Sequence, residues 1–127
     1  MSIQYVQDPL RGWLFTTASG LVTFDDINEH LNLEEHNRDL SRPELIDARS
    51  ATTNLSADQI RRLAQRAADV MARVPIGPTA IVTTNDVVFG MARMYSAFAE
   101  RARARVEVFR AIDAADTWLQ GVKPYGF

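Results

Sequence analysis

The sequence predicts a single α/β domain over residues 1–127, a mixed five-stranded sheet with its helices mainly on one face. Three observations predict it. Extended and helical patterns follow one another in the order β-β-α-β-α-β-α-β-α, which calls for parallel strands joined by right-handed crossovers. The first two strands are too close in sequence for a crossover and must form an antiparallel hairpin. Two later strands are charged on one side only: Asp47 and Arg49 alternate with Ile46 and Ala48, and Arg105 and Glu107 alternate with Val106 and Val108. A strand covered on both faces reads apolar throughout, as Ala80-Ile81-Val82 does, so part of one sheet face should be wet or meet another copy.

Each element has its own signal. "SIQYVQD" and "GWLFTTAS" carry β-branched and aromatic residues on either side of "PLRG", where Pro9 and Gly12 mark a turn. After Ser19-Gly20, Phe24, Ile27 and Leu31 form an apolar stripe at helical spacing, with Asp25 and Asp26 at the positive end of the helix dipole. The stripe fades after Leu33, so the second half of that helix should be solvated. A short strand follows over Glu44 to Arg49, then a polar loop over Ser50 to Asn54. "LSADQI" starts the next helix: Ser56 and Gln59 make a capping box, and Leu55 and Ile60 a hydrophobic staple. Ile60, Leu63, Ala64, Ala67, Met71 and Val74 line its apolar face, and Pro75, Gly77 and Pro78 end it. The strand "TAIVTT", a helix from about Asn85, the strand "RVEVF" and a short helix capped by Asp113 complete the order.

Composition narrows the function. The chain has 127 residues, enough for one unstapled core, and a formal net charge of −2. That balance gives no general attraction to nucleic acid or anionic lipid. Cysteine is absent, which removes disulfides, thiolate metal sites and cysteine nucleophiles. No apolar run has the length of a membrane span, and "MSIQYVQDPL" is not a signal peptide, so a cytoplasmic protein is expected.

The stretch "TTNDVVFGMARMYSAFAERA" raises the sharpest question. With Met91 at the centre of the buried face, Val87, Val88, Met94, Tyr95 and Phe98 fall beside it, while Phe89 falls on the far side with Asp86 and Arg93. Arg93 is placed to lie over the Phe89 ring, and the loop Ser50 to Asn54 could also cover it. Gly90 weakens the helix, so close approach of a neighbouring backbone, or of a partner, should offset it. Crowding by a neighbour predicts that Gly90→Ala destabilises the fold.

"DARSATTNLSADQIRRL", "IVTTNDVVFGMARMYSAFAE" and "VEVFRAIDAADTWL" together resemble the SpoIIAA-like branch of the STAS family, relatives of anti-sigma-factor antagonists. The resemblance covers almost the whole chain. It implies a sheet of successive β-α turns and a regulatory or binding role without catalysis. Phospho-switched members carry a serine after the third strand within Asp-Ser-Ser-Gly; here the chain reads Leu55-Ser56-Ala57-Asp58, so Ser56 matches by place and reads as a helix cap.

Other constellations read as structural. Asp26, His30 and Glu34 have metal-compatible spacing, with His36 nearby, yet they read better as a solvated helix face. No triad elbow or Gly-rich phosphate loop is present. "ERARARVEVFR" interleaves Glu100 and Glu107 with its arginines and does not read as nucleic-acid binding.

The expected function is therefore a non-enzymatic domain, without cofactor or metal, that engages a protein partner or small anionic ligand at the carboxyl edge of the sheet. Helix N-termini gather there after Asn54, Thr84 and Ile112. The expected rim is Asn54, Ser56, Asn85, Asp86, Phe89 and Arg93, and a homodimer is expected. The alternative is a small-molecule carrier, lipid included, or a small enzyme with a pocket at the same edge. An enzyme would need a buried titratable pair, for which Asp47, Asp86 and Asp113 are the candidates.

Overall fold

The structure, a computed structural model, describes residues 3–8, 12–36, 42–73, 77–101 and 105–122. The elements are β1 (Ile3–Asp8), β2 (Trp13–Val22), α1 (Phe24–His36), β3 (Glu44–Thr53), α2 (Ala57–Arg73), β4 (Thr79–Val82), α3 (Asp86–Arg101), β5 (Val106–Phe109) and α4 (Ile112–Gly121). They form one five-stranded sheet in the order β1-β2-β3-β4-β5. The β1–β2 hairpin is antiparallel and every later pairing is parallel. Gly12 closes the hairpin at φ 72°, a left-handed conformation that suits glycine, while Pro9 lies outside the described residues.

Strand order decides where the helices go. Each parallel strand is laid beside its predecessor, so the three crossovers step in one direction, and their shared right hand puts α1, α2 and α3 on one face. Helix α4 follows the last strand, free of that constraint, and packs on the other face. Its Ala115 and Leu119 meet Trp13, Leu45, Ala80 and Val82, with Phe109 and Trp118 alongside at a ring separation of 5.8 Å. On the crossover face, Ala18, Val22, Ala48, Ala51 and Val88 form one cluster, and Leu31, Leu55, Ile60, Leu63 and Ala67 a second.

The charged side of β3 behaves as expected. Ile46 packs with the cluster on the crossover face, whereas Asp47 and Arg49 pair with each other through two contacts of 2.9 Å. Those hydrogen bonds hold the Asp47 carboxyl below its ordinary range. Helix α4 packs over β3, β4 and β5, and Thr17, Ser19 and Arg49 on the long strands remain exposed, which is the wet part of the sheet.

Several boundaries differ from expectation. The segment read as a loop, Ser50 to Thr53, continues β3, because a register shift after Thr17 lets it pair with Ser19 to Val22. Gly20 sits in that extension at φ 68°. Asp113 does not cap α4; Ala111 holds the cap position without a side-chain bond, and Asp113 lies in the first turn. Helix α2 ends at Arg73, and Val74 and Pro75 lie outside the described residues, as does the side chain of Met71. Val70, fully buried, joins its apolar face.

Helix α3 carries two corrections. Val87 is 57% exposed and belongs to the outer face rather than the core. Gly90 is exposed too, and a methyl built there would meet nothing within 4 Å. No neighbour crowds it, so the expected sign of Gly90→Ala reverses. Helix propensity now decides, and the variant should gain about 0.5–1 kcal/mol, a rise of a few degrees in thermal midpoint. A fall in midpoint on a scanning calorimeter would refute this placement of Gly90.

Candidate functional site

The carboxyl edge of the sheet is built by capping. Ser56 Oγ accepts from Gln59 N at 3.1 Å while Ser56 N donates to Gln59 Oε1 at 3.0 Å, closing the capping box. Asn85 does the same work for α3: its Oδ1 accepts from the amides of Val87 and Val88 at 2.9 and 3.1 Å. Thr23 and Asp26 form a third reciprocal cap at α1, so Asp26 is not available to a metal set with His30. Among the described residues no group of three or more His, Cys, Asp or Glu could hold a metal. Side-chain oxygens thus occupy first-turn amides of α2 and α3 that an anion would otherwise use.

Three of the expected rim residues do come together. Asp86 binds Arg110, the residue after β5, at 2.6 Å, and the Arg110 guanidinium lies 3.8 Å from the centre of the Phe89 ring. Arg93 approaches the same ring at 5.9 Å. Phe89 is half-buried between two arginines, of which Arg110 lies the closer to its ring. Arg110 also donates to the Thr84 carbonyl, tying together the loops after β4 and β5. Asn54 is exposed, and the side-chain bonds of Ser56 stay inside its own cap. Sequence reasoning missed Arg110; its position directly after β5, beside the loop after a parallel neighbour, was the available signal.

A larger feature lies elsewhere. Between the sheet and helices α1, α2 and α3 is a cavity of about 180 Å³. Its floor includes Ala18, Ile46 and Ile81, and its roof Leu63, Val88 and Met91. The reason is side-chain size: alanines at 18, 48 and 51 face the helices and do not fill the gap that larger residues would close. Three buried polar residues line it. Thr16 on β2, 1% exposed, donates its hydroxyl hydrogen to Glu44 Oε2 at 2.5 Å. Glu44, the first residue of β3, lies with the same oxygen 3.5 Å from His30 Nε2 on α1. His30 is 8% exposed and Glu44 5%.

This arrangement corrects three expectations. His30 does not lie on a solvated helix face; it turns toward the sheet beside Ile27 and Leu31. Among the described residues the buried titratable pair is His30 and Glu44, not any of Asp47, Asp86 or Asp113: Asp47 is held by Arg49, the Asp86 side chain is 89% exposed, and Asp113 is exposed. The cavity also lies between the sheet and the helices, reaching from Glu44 and Thr79 at the amino ends of β3 and β4 to Val22 and Thr53 at the carboxyl ends of β2 and β3, rather than only outside the carboxyl ends.

Among the described residues no helix is long and apolar enough to cross a membrane. No family model matches the sequence, and no curated protein matches it significantly. Among solved structures, the chain is similar to an uncharacterized protein of the DUF3478 family from Shewanella loihica PV-4, described as having a SpoIIAA-like fold. The match covers 92% of this chain and 91% of that one, with a TM-score of 0.55 and 18% identity. At that identity the likeness speaks for architecture alone, and the architecture is that of a SpoIIAA-like α/β fold.

Proposed function

We propose that this domain is a non-enzymatic binding protein whose ligand is a small, mainly apolar molecule held between the sheet and its crossover helices. The cavity carries this reading. Its volume of about 180 Å³ is of the size that takes a small aromatic or a short alkyl chain, and most of its lining is aliphatic. Filling it tests the reading. Ala48→Leu should abolish saturable binding of 1-heptanol measured by calorimetry, whereas wild type binds and gains thermal midpoint in proportion to ligand occupancy. Equal binding by both proteins would remove the cavity as the site.

A second reading is favoured by the Asp86–Arg110–Phe89–Arg93 cluster: a regulatory role in which the carboxyl edge meets a protein partner. A half-exposed aromatic held between arginines is a common anchor at interfaces. In this reading Ser56 serves as a cap, and a homodimer at micromolar concentration accompanies it, using the wet part of the sheet. Sedimentation equilibrium giving a monomer well above that concentration removes the dimer.

A further inference from the structure

The cavity is elongated, and the strand register gives its course. At the amino ends its floor is Val106, Thr79 and Glu44, neighbours on β5, β4 and β3. Two residues further along, it is Ile81, Ile46 and Thr16, neighbours on β4, β3 and β2. The next step is Ala48 on β3, Ala18 on β2 and its β1 partner Ile3. The floor thus moves over by one strand at each step and crosses the sheet obliquely, then ends at the paired Thr53 and Val22.

Length and volume together define its shape. Glu44 and Thr53 are nine residues apart on β3, about 30 Å of strand at ~3.3 Å per residue. A compact space of about 180 Å³ would reach past roughly two or three residues at that rise. The volume is therefore drawn out into a narrow passage. Resting on the ligand reading above, we infer that the ligand is an unbranched aliphatic chain lying extended across the sheet. A ring or a branched body would have to push apart side chains packed on both sides, whereas a methylene chain needs the width of one chain only. The lining suits such a ligand. Thr16 donates to Glu44 and Thr53 to the Val22 carbonyl, so these hydroxyl hydrogens are spent within the protein. Between them the floor offers the methyl groups of Ala18, Ala48 and Ala51.

The test is a series of straight-chain alcohols from 1-hexanol to 1-decanol, titrated into the full chain by isothermal calorimetry. One molecule should bind per protein, and each added methylene should tighten binding about threefold to fourfold through the whole series. The branched isomer 3,7-dimethyl-1-octanol has the carbon count of 1-decanol and should bind about tenfold more weakly. Ala51→Leu narrows the passage toward its carboxyl end. It should leave 1-hexanol almost unchanged and remove the gain from octanol to decanol; Val22→Phe does the same where Ala51→Leu fails to fold. Affinity that stops rising at heptanol would overturn the extended-chain inference and leave the cavity reading standing. A dimethyloctanol that binds as well as decanol, or a decanol gain that survives in the folded variant, would overturn it too. Saturable binding of no alcohol in the series would remove both readings.

Discussion

Leu45→Ala should lower stability by about 2–5 kcal/mol, the range for emptying a well-packed leucine site. Leu45 is 2% exposed on β3, on the face that α4 covers, and it packs with Trp13, Val82, Ala115 and Leu119. The loss has two parts: the transfer of the missing methyl groups and the space left where the neighbours cannot close in. Sheet and helix meet there from opposite sides, so little collapse is available. In urea unfolding the midpoint should fall with the slope unchanged, since the area exposed on unfolding barely changes. Leu21→Ala is the control: Leu21 is 50% exposed, and its loss should stay within about 0.5 kcal/mol. If the two variants behave alike, α4 does not pack on this face.

Glu44→Ala should be nearly as costly for a different reason. Truncation removes the acceptor of the buried Thr16 hydroxyl and the carboxyl group beside His30, and a buried polar group that loses its hydrogen bond costs about 1–3 kcal/mol, more where a charged group is involved. Glu44→Gln should lose less than half as much, because an acceptor oxygen stays in reach of Thr16. The ratio of the two losses is the informative measurement. Equal losses would mean that charge, not hydrogen bonding, dominates at this position; a stable Glu44→Ala would mean that the carboxylate is not buried as described.

The fold was legible because its signals are local. The Ser56–Gln59 box, the Leu55–Ile60 staple and the alternation of Asp47 and Arg49 with Ile46 and Ala48 each sit within a few residues. Each holds in the structure. The cavity was not legible, because no local pattern encodes it. Thr16 and Glu44 are 28 positions apart, and small residues on the sheet announce a gap only once the helices are placed over them. His30 was the recoverable miss. Its spacing to Asp26 and Glu34 suggests a polar face, but it also follows Ile27 by three and precedes Leu31, which puts it on the apolar stripe. Of the rim, Asp86, Phe89 and Arg93 converge, but the arginine closer to the ring is Arg110, a contact between two loops that sequence spacing does not show. Gly90 was misjudged because a sequence shows which residue is small and not what stands beside it.

The strand order β1-β2-β3-β4-β5 has a consequence for how the chain assembles. No strand has to slip between two that are already paired; each new β-α unit docks on a finished edge. The sheet can therefore grow in the order of synthesis, with loop-closure cost kept to one unit at a time. The long β2–β3 ladder is complete before β4 and β5 arrive, and these last two strands contribute only four residues each. Helix α4 then covers the β3–β5 part of the open face. A ribosome releasing this chain from its N-terminus would present a growing edge at every stage, and the final helix is the step that removes the exposed face of Leu45, Ala80 and Val82 from water.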